Sequence, residues 1–134
     1  MQQSSSASLV RRFHNVFGLP VADRPTVPPD ELAGIRQRLL EEEVGELAEA
    51  IQGRRLNEIA RELADVVYVA YGTAVTYGID LDAVLAEIHR ANMSKLGPDG
   101  SPVVRDGKVV KGENFQPPDV AAVLSRQNGS EGPT

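Results

Sequence analysis

Six acidic residues stand in two short runs whose spacing suits shared chemistry. Glu41, Glu42, Glu43 and Glu46 fall in the run LLEEEVGEL, and Glu62 and Asp65 in ELADVVY. Glu43 and Glu46 are three residues apart, as are Glu62 and Asp65, and residues at that spacing are neighbours on a helix surface. Carboxylate oxygens suit Mg²⁺, Mn²⁺ or Ca²⁺, and Mg²⁺ so held keeps positions open for water and phosphate oxygens. Other site chemistries are closed to this chain. It has no cysteine, which removes disulfides, thiolate catalysis and thiol-bound zinc, and its only histidines are His14 and His89.

An acidic pair in a Glu-rich helix is ordinarily a solvated face, so its position relative to the apolar residues decides its meaning. At 100° per residue, Leu32, Ile35, Leu39, Leu40, Leu47 and Ile51 form one apolar arc. Glu43 falls in the middle of that arc and Glu46 inside it. Glu42 lies near the edge, while Glu41 and Glu49 point away. In the second segment Asp65 is the only charged residue from Leu63 to Ile79. A helix apolar nearly all round is usually buried, so Asp65 belongs in or beside a core with Glu62 one turn earlier. Ionised carboxylates are rarely buried unpaired. Fifteen residues separate Glu46 from Glu62, enough for an antiparallel helix pair turning near Gly53-Arg54-Arg55. The two acidic pairs would then face each other, and a divalent cation would relieve their repulsion.

The elements that position these residues follow from punctuation. Residues 8–17 suit a short helix stopped by Gly18-Leu19-Pro20, and residues 18–29, with four prolines, read as an extended connector. Asp30 is the expected N-cap of a helix running to about Ile51 and closed by Gly53. A second helix is expected from Leu56 or Asn57 to Tyr77, ended by Gly78. A third, capped by Asp80, should reach about Lys95 before Gly97-Pro98. Asp106-Gly107 between short apolar pairs predicts a β-hairpin within 102–111. Residues 118–126 suit a final turn or two. Gly45 costs about 1 kcal/mol of helix propensity against Ala; it either allows close helix approach or is neutral drift. The fold expected is all-α, helical hairpins assembling as a four-helix-type bundle. One domain should span 8–126, with flexible tails at 1–7 and 127–134.

Composition is that of an ordinary soluble domain, 41% apolar and 25% charged. The net charge of −5 argues against a nucleic-acid partner. No apolar run approaches the ~20 residues needed to cross a bilayer, and MQQSSSASLVRRF lacks the apolar stretch of a secretory signal. A cytoplasmic protein without membrane or nucleic-acid partners is expected.

The run Leu39-Leu40-Glu41-Glu42-Glu43-Val44-Gly45-Glu46-Leu47, followed by Glu62-Leu63-Ala64-Asp65-Val66-Val67-Tyr68, resembles the MazG-like all-α NTP pyrophosphohydrolases, whose signature is an E-E-x-x-E helix and an E-x-x-D helix. Phe13-His14-x-x-Phe17-Gly18-x-Pro20 resembles the N-terminal segment of their compact members. His89-Arg-Ala-Asn92-Met-Ser-Lys95 and Lys111-Gly-x-Asn-Phe-x-Pro117-Pro118 resemble their C-terminal segments. The layout is most similar to the compact bacterial dUTP-hydrolysing branch, with the phosphoribosyl-ATP pyrophosphohydrolases more distant. The resemblance implies hydrolysis of a nucleoside triphosphate between its α- and β-phosphates, giving a monophosphate and pyrophosphate. It implies Mg²⁺, replaceable by Mn²⁺, on Glu43, Glu46, Glu62 and Asp65, with Glu42 activating water. It also implies a homodimer or homotetramer.

Asn92 and Lys95 continue the apolar arc of Leu81, Leu85 and Ile88 past its last aliphatic residue. Lys95 could pair with phosphate or simply cap its helix by the dipole. Lys111, at the hairpin's end, is a further phosphate candidate. Phe13, His14, Phe17, Tyr68 and Phe115 could meet a base, against core packing as the competing role for each; Tyr68 stands among the substrate-binding candidates. Rival readings are a phosphoribosyl-ATP pyrophosphohydrolase-like enzyme, a di-iron carboxylate bundle and a non-catalytic helical dimerisation module. The di-iron pattern wants Glu-x-x-His, and here those positions hold Glu and Asp. The dimerisation module would pair its buried acids with Arg36, Arg38, Arg54 or Arg55.

Overall fold

The computed structural model describes residues 5–129. They form helices α1 (Ser6–Phe17), α2 (Asp30–Gly53), α3 (Leu56–Tyr77) and α4 (Leu81–Met93), strands β1 (Val103–Arg105) and β2 (Lys108–Val110), and helix α5 (Val120–Gly129). The all-α fold with a small hairpin near the C-terminus is thus as expected. The described residues group into two compact units that divide between Asp80 and Leu81.

In the first unit, α3 packs against both α2 and α1. Helix α1 starts earlier than its apolar pattern suggests, because Ser5 caps it: the Ser5 hydroxyl accepts the Ser8 N–H at 3.1 Å. Ser6 and Ala7, expected in a tail, are therefore helical; residues 1–4 of that tail lie outside the described residues. Leu9, Val10, Phe13 and Phe17 follow a helical period, and α1 buries Val10 and His14. Gly18, at φ 70°, ends it. The proline-rich connector then runs along the end of α3, where Ala22 N–H donates to Val75 O at 3.0 Å and Thr26 N–H to Tyr77 O at 2.9 Å. Gly78 is required at this corner. Its φ is +71°, and a Cβ there would run into the Arg24 carbonyl.

Pro29, not Asp30, takes the N-cap of α2. Asp30 and Glu31 instead fill the first turn, where their charge complements the helix dipole. The α2–α3 turn uses Arg54 in the left-handed region, φ 57°, leaving Gly53 inside the last turn of α2. Burial of α3 holds for its C-terminal half, where Gly72, Ala74, Val75 and Thr76 are buried. Its N-terminal half differs from the sequence expectation: Leu63 is 50% exposed, Val67 48% and Tyr68 41%. Gly45, a candidate for close helix approach, faces open space within this chain.

In the second unit, α5 packs on α4 with Ala91 and Val123 buried. Glu87 joins the two segments. It pairs with Arg90 at 2.8 Å and accepts the Asp119 N–H at 2.8 Å. These bonds hold its carboxyl at about 2, the Arg90 bond foremost and the Asp119 N–H second. Helix α4 stops at Met93, short of the expected Lys95, and continues as a turn in which Ser94 Oγ donates to Ala91 O at 2.7 Å. In the hairpin, Val103 pairs with Val110 and Arg105 with Lys108. Its turn residues Asp106 and Gly107 both have positive φ, 52° and 75°, as a two-residue hairpin turn requires. Helix α5 extends to Gly129, past the expected end at 126, while residues 130–134 lie outside the described residues.

Candidate metal centre

Antiparallel packing of α2 on α3 brings together three carboxylates from the two runs. One oxygen each from Glu43, Glu62 and Asp65 lies within 4.8 Å of the others, and all three side chains are half-buried. Glu43 Oε2 and Glu62 Oε1 are fully buried with no hydrogen-bond partner. Burial raises the Glu43 carboxyl above the usual carboxylate range, and the charges of Glu46, Asp65 and Glu42 add to the rise. Glu62 is raised by the same causes, burial first and then Glu46 and Asp65. Arg61 opposes both shifts without cancelling them. Orphaned buried oxygens beside like charges are costly unless a cation joins them, so the donor set fits a hard divalent metal.

Glu46 is exposed and stands outside the tight triple, although its charge reaches both Glu43 and Glu62. It lines, with Glu62, Arg55 and Arg61, a polar cleft of about 280 Å³ toward the α2–α3 turn. Glu42 is exposed. Tyr68 lies one turn past Asp65 and lines an apolar cleft of about 420 Å³ between α1 and α3, together with Leu9, Val10, Leu63, Val67 and Tyr71. Tyr68 also meets Phe13 edge-on at 5.6 Å, and Phe13 stacks against Phe17 at 4.6 Å.

The remaining sequence candidates sit in the second unit. Asn92 is exposed on the last turn of α4, and its carbonyl accepts the Lys95 N–H at 3.1 Å. Gly112 N–H donates to Lys95 O at 3.0 Å, which sets Lys111 beside the turn that carries Lys95. The Lys111 ammonium stands 4.9 Å from the centre of the Phe115 ring, a cation–π contact.

Four residues escaped the sequence reading as parts of this architecture. Arg36 is only 8% exposed and does not pair with the acids. Its Nε donates to Thr73 Oγ1 at 3.2 Å and its Nη2 to Val69 O at 3.0 Å. Thr73 Oγ1 in turn donates to Val69 O at 2.8 Å. Burial lowers the Arg36 pKa from its ordinary value. Gly72 makes room for it: a Cβ at residue 72 would lie 2.6 Å from Arg36 Nη2 and 2.9 Å from His14 Nε2. His14 Nδ1 lies 2.9 Å from Pro20 O, which also accepts the Thr76 hydroxyl at 3.2 Å. Since a carbonyl only accepts, Nδ1 of His14 carries the proton. The signal for Arg36 was its place seven residues before Glu43, on the same helix face. Arg55, another partner expected by the dimerisation reading, bonds Glu58 at 2.7 Å instead.

The five helices and the C-terminal hairpin are consistent with the all-α NTP pyrophosphohydrolase fold. Residues 10–92 match the family described as phosphoribosyl-ATP pyrophosphohydrolase, and the chain belongs to that family. It is 35% identical over 105 residues to uncharacterized protein L479 of Acanthamoeba polyphaga mimivirus, an alignment covering 75% of this chain and 39% of the viral protein. It thus spans about two-fifths of that relative. The crystal structure of an inferred NTP pyrophosphohydrolase from Exiguobacterium sp. 255-15 is similar, with a TM-score of 0.55, 25% identity and coverage of 98% of this chain and 100% of the other. Among the described residues, no helix is long and apolar enough to cross a membrane.

Proposed function

We propose that the chain is a Mg²⁺-dependent nucleoside-triphosphate pyrophosphohydrolase, cleaving between the α- and β-phosphates to release a monophosphate and pyrophosphate, with dUTP the first substrate to test. The observation that carries this reading is the pair of orphaned buried oxygens on Glu43 and Glu62 beside Asp65. Glu43, Glu62 and Asp65, with Glu46 at the rim, would hold the metal, which when bound supplies charge neutralisation at phosphate oxygens and a lower pKa for bound water. Glu42 is exposed one residue from Glu43, and its carboxylate would take the proton of the attacking water. Tyr68 and the apolar cleft beside it offer a surface for a planar base. The phosphate-binding role of Asn92, Lys95 and Lys111 rests on the family resemblance. Phosphoryl transfer asks mainly for positioning and charge stabilisation, which these residue types can supply.

A homodimer or homotetramer is part of the proposal. Val44 and Ile51 are 52% and 54% exposed on α2, and a second copy would cover such apolar surface. Phosphoribosyl-ATP is the second substrate reading, favoured by the family to which residues 10–92 belong.

Pyrophosphate release from a panel of ribo- and deoxyribonucleoside triphosphates and phosphoribosyl-ATP, each with Mg²⁺, Mn²⁺ or EDTA, tests the reading. Metal-dependent release from dUTP above the other substrates is expected. Release from phosphoribosyl-ATP alone would move the assignment to the second reading. No release from any substrate by folded protein would overturn both.

A further inference from the structure

We propose that Arg36 is a positioning residue, a register clamp that fixes α2 along α3 so that Glu43 meets Glu62 and Asp65. The inference rests on the metal-centre reading for its functional consequence, but the clamp itself is a matter of helix packing. The short turn between Gly53 and Leu56 and the interdigitation of side chains limit how far α2 can slide along α3, but area burial itself carries little directional information with which to choose between neighbouring registers. A carboxylate centre split between two helices does not tolerate such a slip. One residue of shift moves a side chain by about 1.5 Å along the axis and turns it by about 100°.

The Arg36 contacts are directional where the apolar ones are not. Arg36 reaches across to α3 with two donors aimed at Val69 O and Thr73 Oγ1, and the Thr73 hydroxyl closes the ring by donating to the same Val69 carbonyl. Their placement matches the carboxylates. Arg36 stands seven residues before Glu43 on α2, and Val69 stands four after Asp65 and seven after Glu62 on α3. In antiparallel helices the Arg36–Glu43 and Val69–Glu62 offsets are equal and opposite, so the clamp lies about 10.5 Å, two turns, from the Glu43–Glu62 pair and about 6 Å from Asp65 along α3. Gly72 tightens the fit, since a Cβ there would sit 2.6 Å from Arg36 Nη2. A buried guanidinium without a carboxylate partner is a poor source of stability by itself. Buried polar side chains in other helix pairs can specify one register over its neighbours.

The test follows register and metal affinity separately. The chain has no cysteine, so spin labels at Gln37→Cys on α2 and Ala60→Cys on α3, diluted with unlabelled protein, report the axial offset of the two helices. Mn²⁺ titration reports the centre. Arg36→Lys, Thr73→Val and Gly72→Ala are compared with Thr76→Val, which removes a hydrogen bond to Pro20 O and none of those that Arg36 makes, and with Thr73→Ser, which preserves the hydroxyl. The clamp variants should broaden or shift the label distance and weaken Mn²⁺ binding by about 10-fold or more, as loss of ligand support typically does. Thr76→Val and Thr73→Ser should match the parent in both. An unchanged label distance in folded Arg36→Lys and Gly72→Ala overturns the clamp, whatever the metal does. A shifted distance in a protein whose parent form binds no Mn²⁺ supports the clamp and overturns the metal reading. A shifted distance with Mn²⁺ affinity within about twofold of the parent overturns the link between clamp and centre.

Discussion

Removing the negative charge of Glu43 should make the metal-free protein more stable while disabling it. Glu43 Oε2 is buried without a partner, and one Glu43 oxygen lies within 4.8 Å of an Asp65 oxygen. Two unit charges at that separation repel by about 1 kcal/mol at the dielectric of water and about 3 kcal/mol at an effective dielectric of 20. Because the three side chains as a whole are only half-buried, solvent screening favours the lower figure, so Glu43→Gln should add about 1 kcal/mol without metal. For a chain of this size that raises Tm by a few degrees. The pH dependence has a fixed sign. A carboxyl whose pKa is raised on folding favours the native state most when protonated. The contribution of Glu43 is therefore most favourable below the ordinary carboxylate range and falls as pH rises through its raised value. Between pH 4.5 and 7 the unsubstituted metal-free protein should lose Tm relative to Glu43→Gln. Saturating Mg²⁺ should reverse the ranking, since a ligand at 100 times its Kd adds about 2.7 kcal/mol to the state that binds it. Differential scanning fluorimetry across pH, with EDTA and with Mg²⁺, reads all of this. A lower Tm for metal-free Glu43→Gln, or a Mg²⁺ shift as large as in the parent, would refute the assignment of Glu43.

Glu46→Gln and Asp65→Asn should each lower pyrophosphate release at least about 100-fold, in line with the cost of misplacing catalytic groups, with the helical circular-dichroism spectrum unchanged; near-normal release from either would remove that residue from the site. Glu87 behaves oppositely to Glu43. Its carboxyl is held at about 2, so its contribution is present above the ordinary carboxylate range and is lost as pH falls toward 2. Glu87→Gln should therefore destabilise the α4–α5 unit at pH 7 and have little effect near pH 2, as hydrogen exchange in α4 would report. Gly45→Ala tests the proposed assembly. In open space it should add about 1 kcal/mol from helix propensity, whereas a second copy packed on Gly45 would turn that gain into a loss of Tm and of oligomer in sedimentation.

The helices and hairpin were legible because their punctuation is strong. Gly18 and Gly78 end helices in the left-handed conformation and Asp106-Gly107 forms the hairpin turn, each a position where few residues substitute. Boundaries were less legible where competing residues stood next to each other. Pro29 displaced Asp30 from the cap, and Ser5 captured two residues that composition alone gave to a tail. The convergence of Glu43, Glu62 and Asp65 could be anticipated because acids on an apolar arc are conspicuous. Arg36 was not legible as a clamp, because one partner is the Val69 carbonyl, which leaves no mark in a sequence, and the other is a lone hydroxyl, that of Thr73. The exposure of Leu63 and Val67 was also hidden, since periodicity records that a face is apolar and not whether the same chain covers it.

The hole at Gly72 has an evolutionary consequence. With Arg36 Nη2 2.6 Å and His14 Nε2 2.9 Å from where a methyl group would go, a side chain at 72 must displace one of them, which couples positions 14, 36 and 72. A larger residue at 72 becomes acceptable only after 36 or 14 has shortened, and a shortened 36 leaves a void until 72 fills it. Lineages that have replaced this arginine should therefore have replaced the glycine too, and the three positions should be inherited as a block.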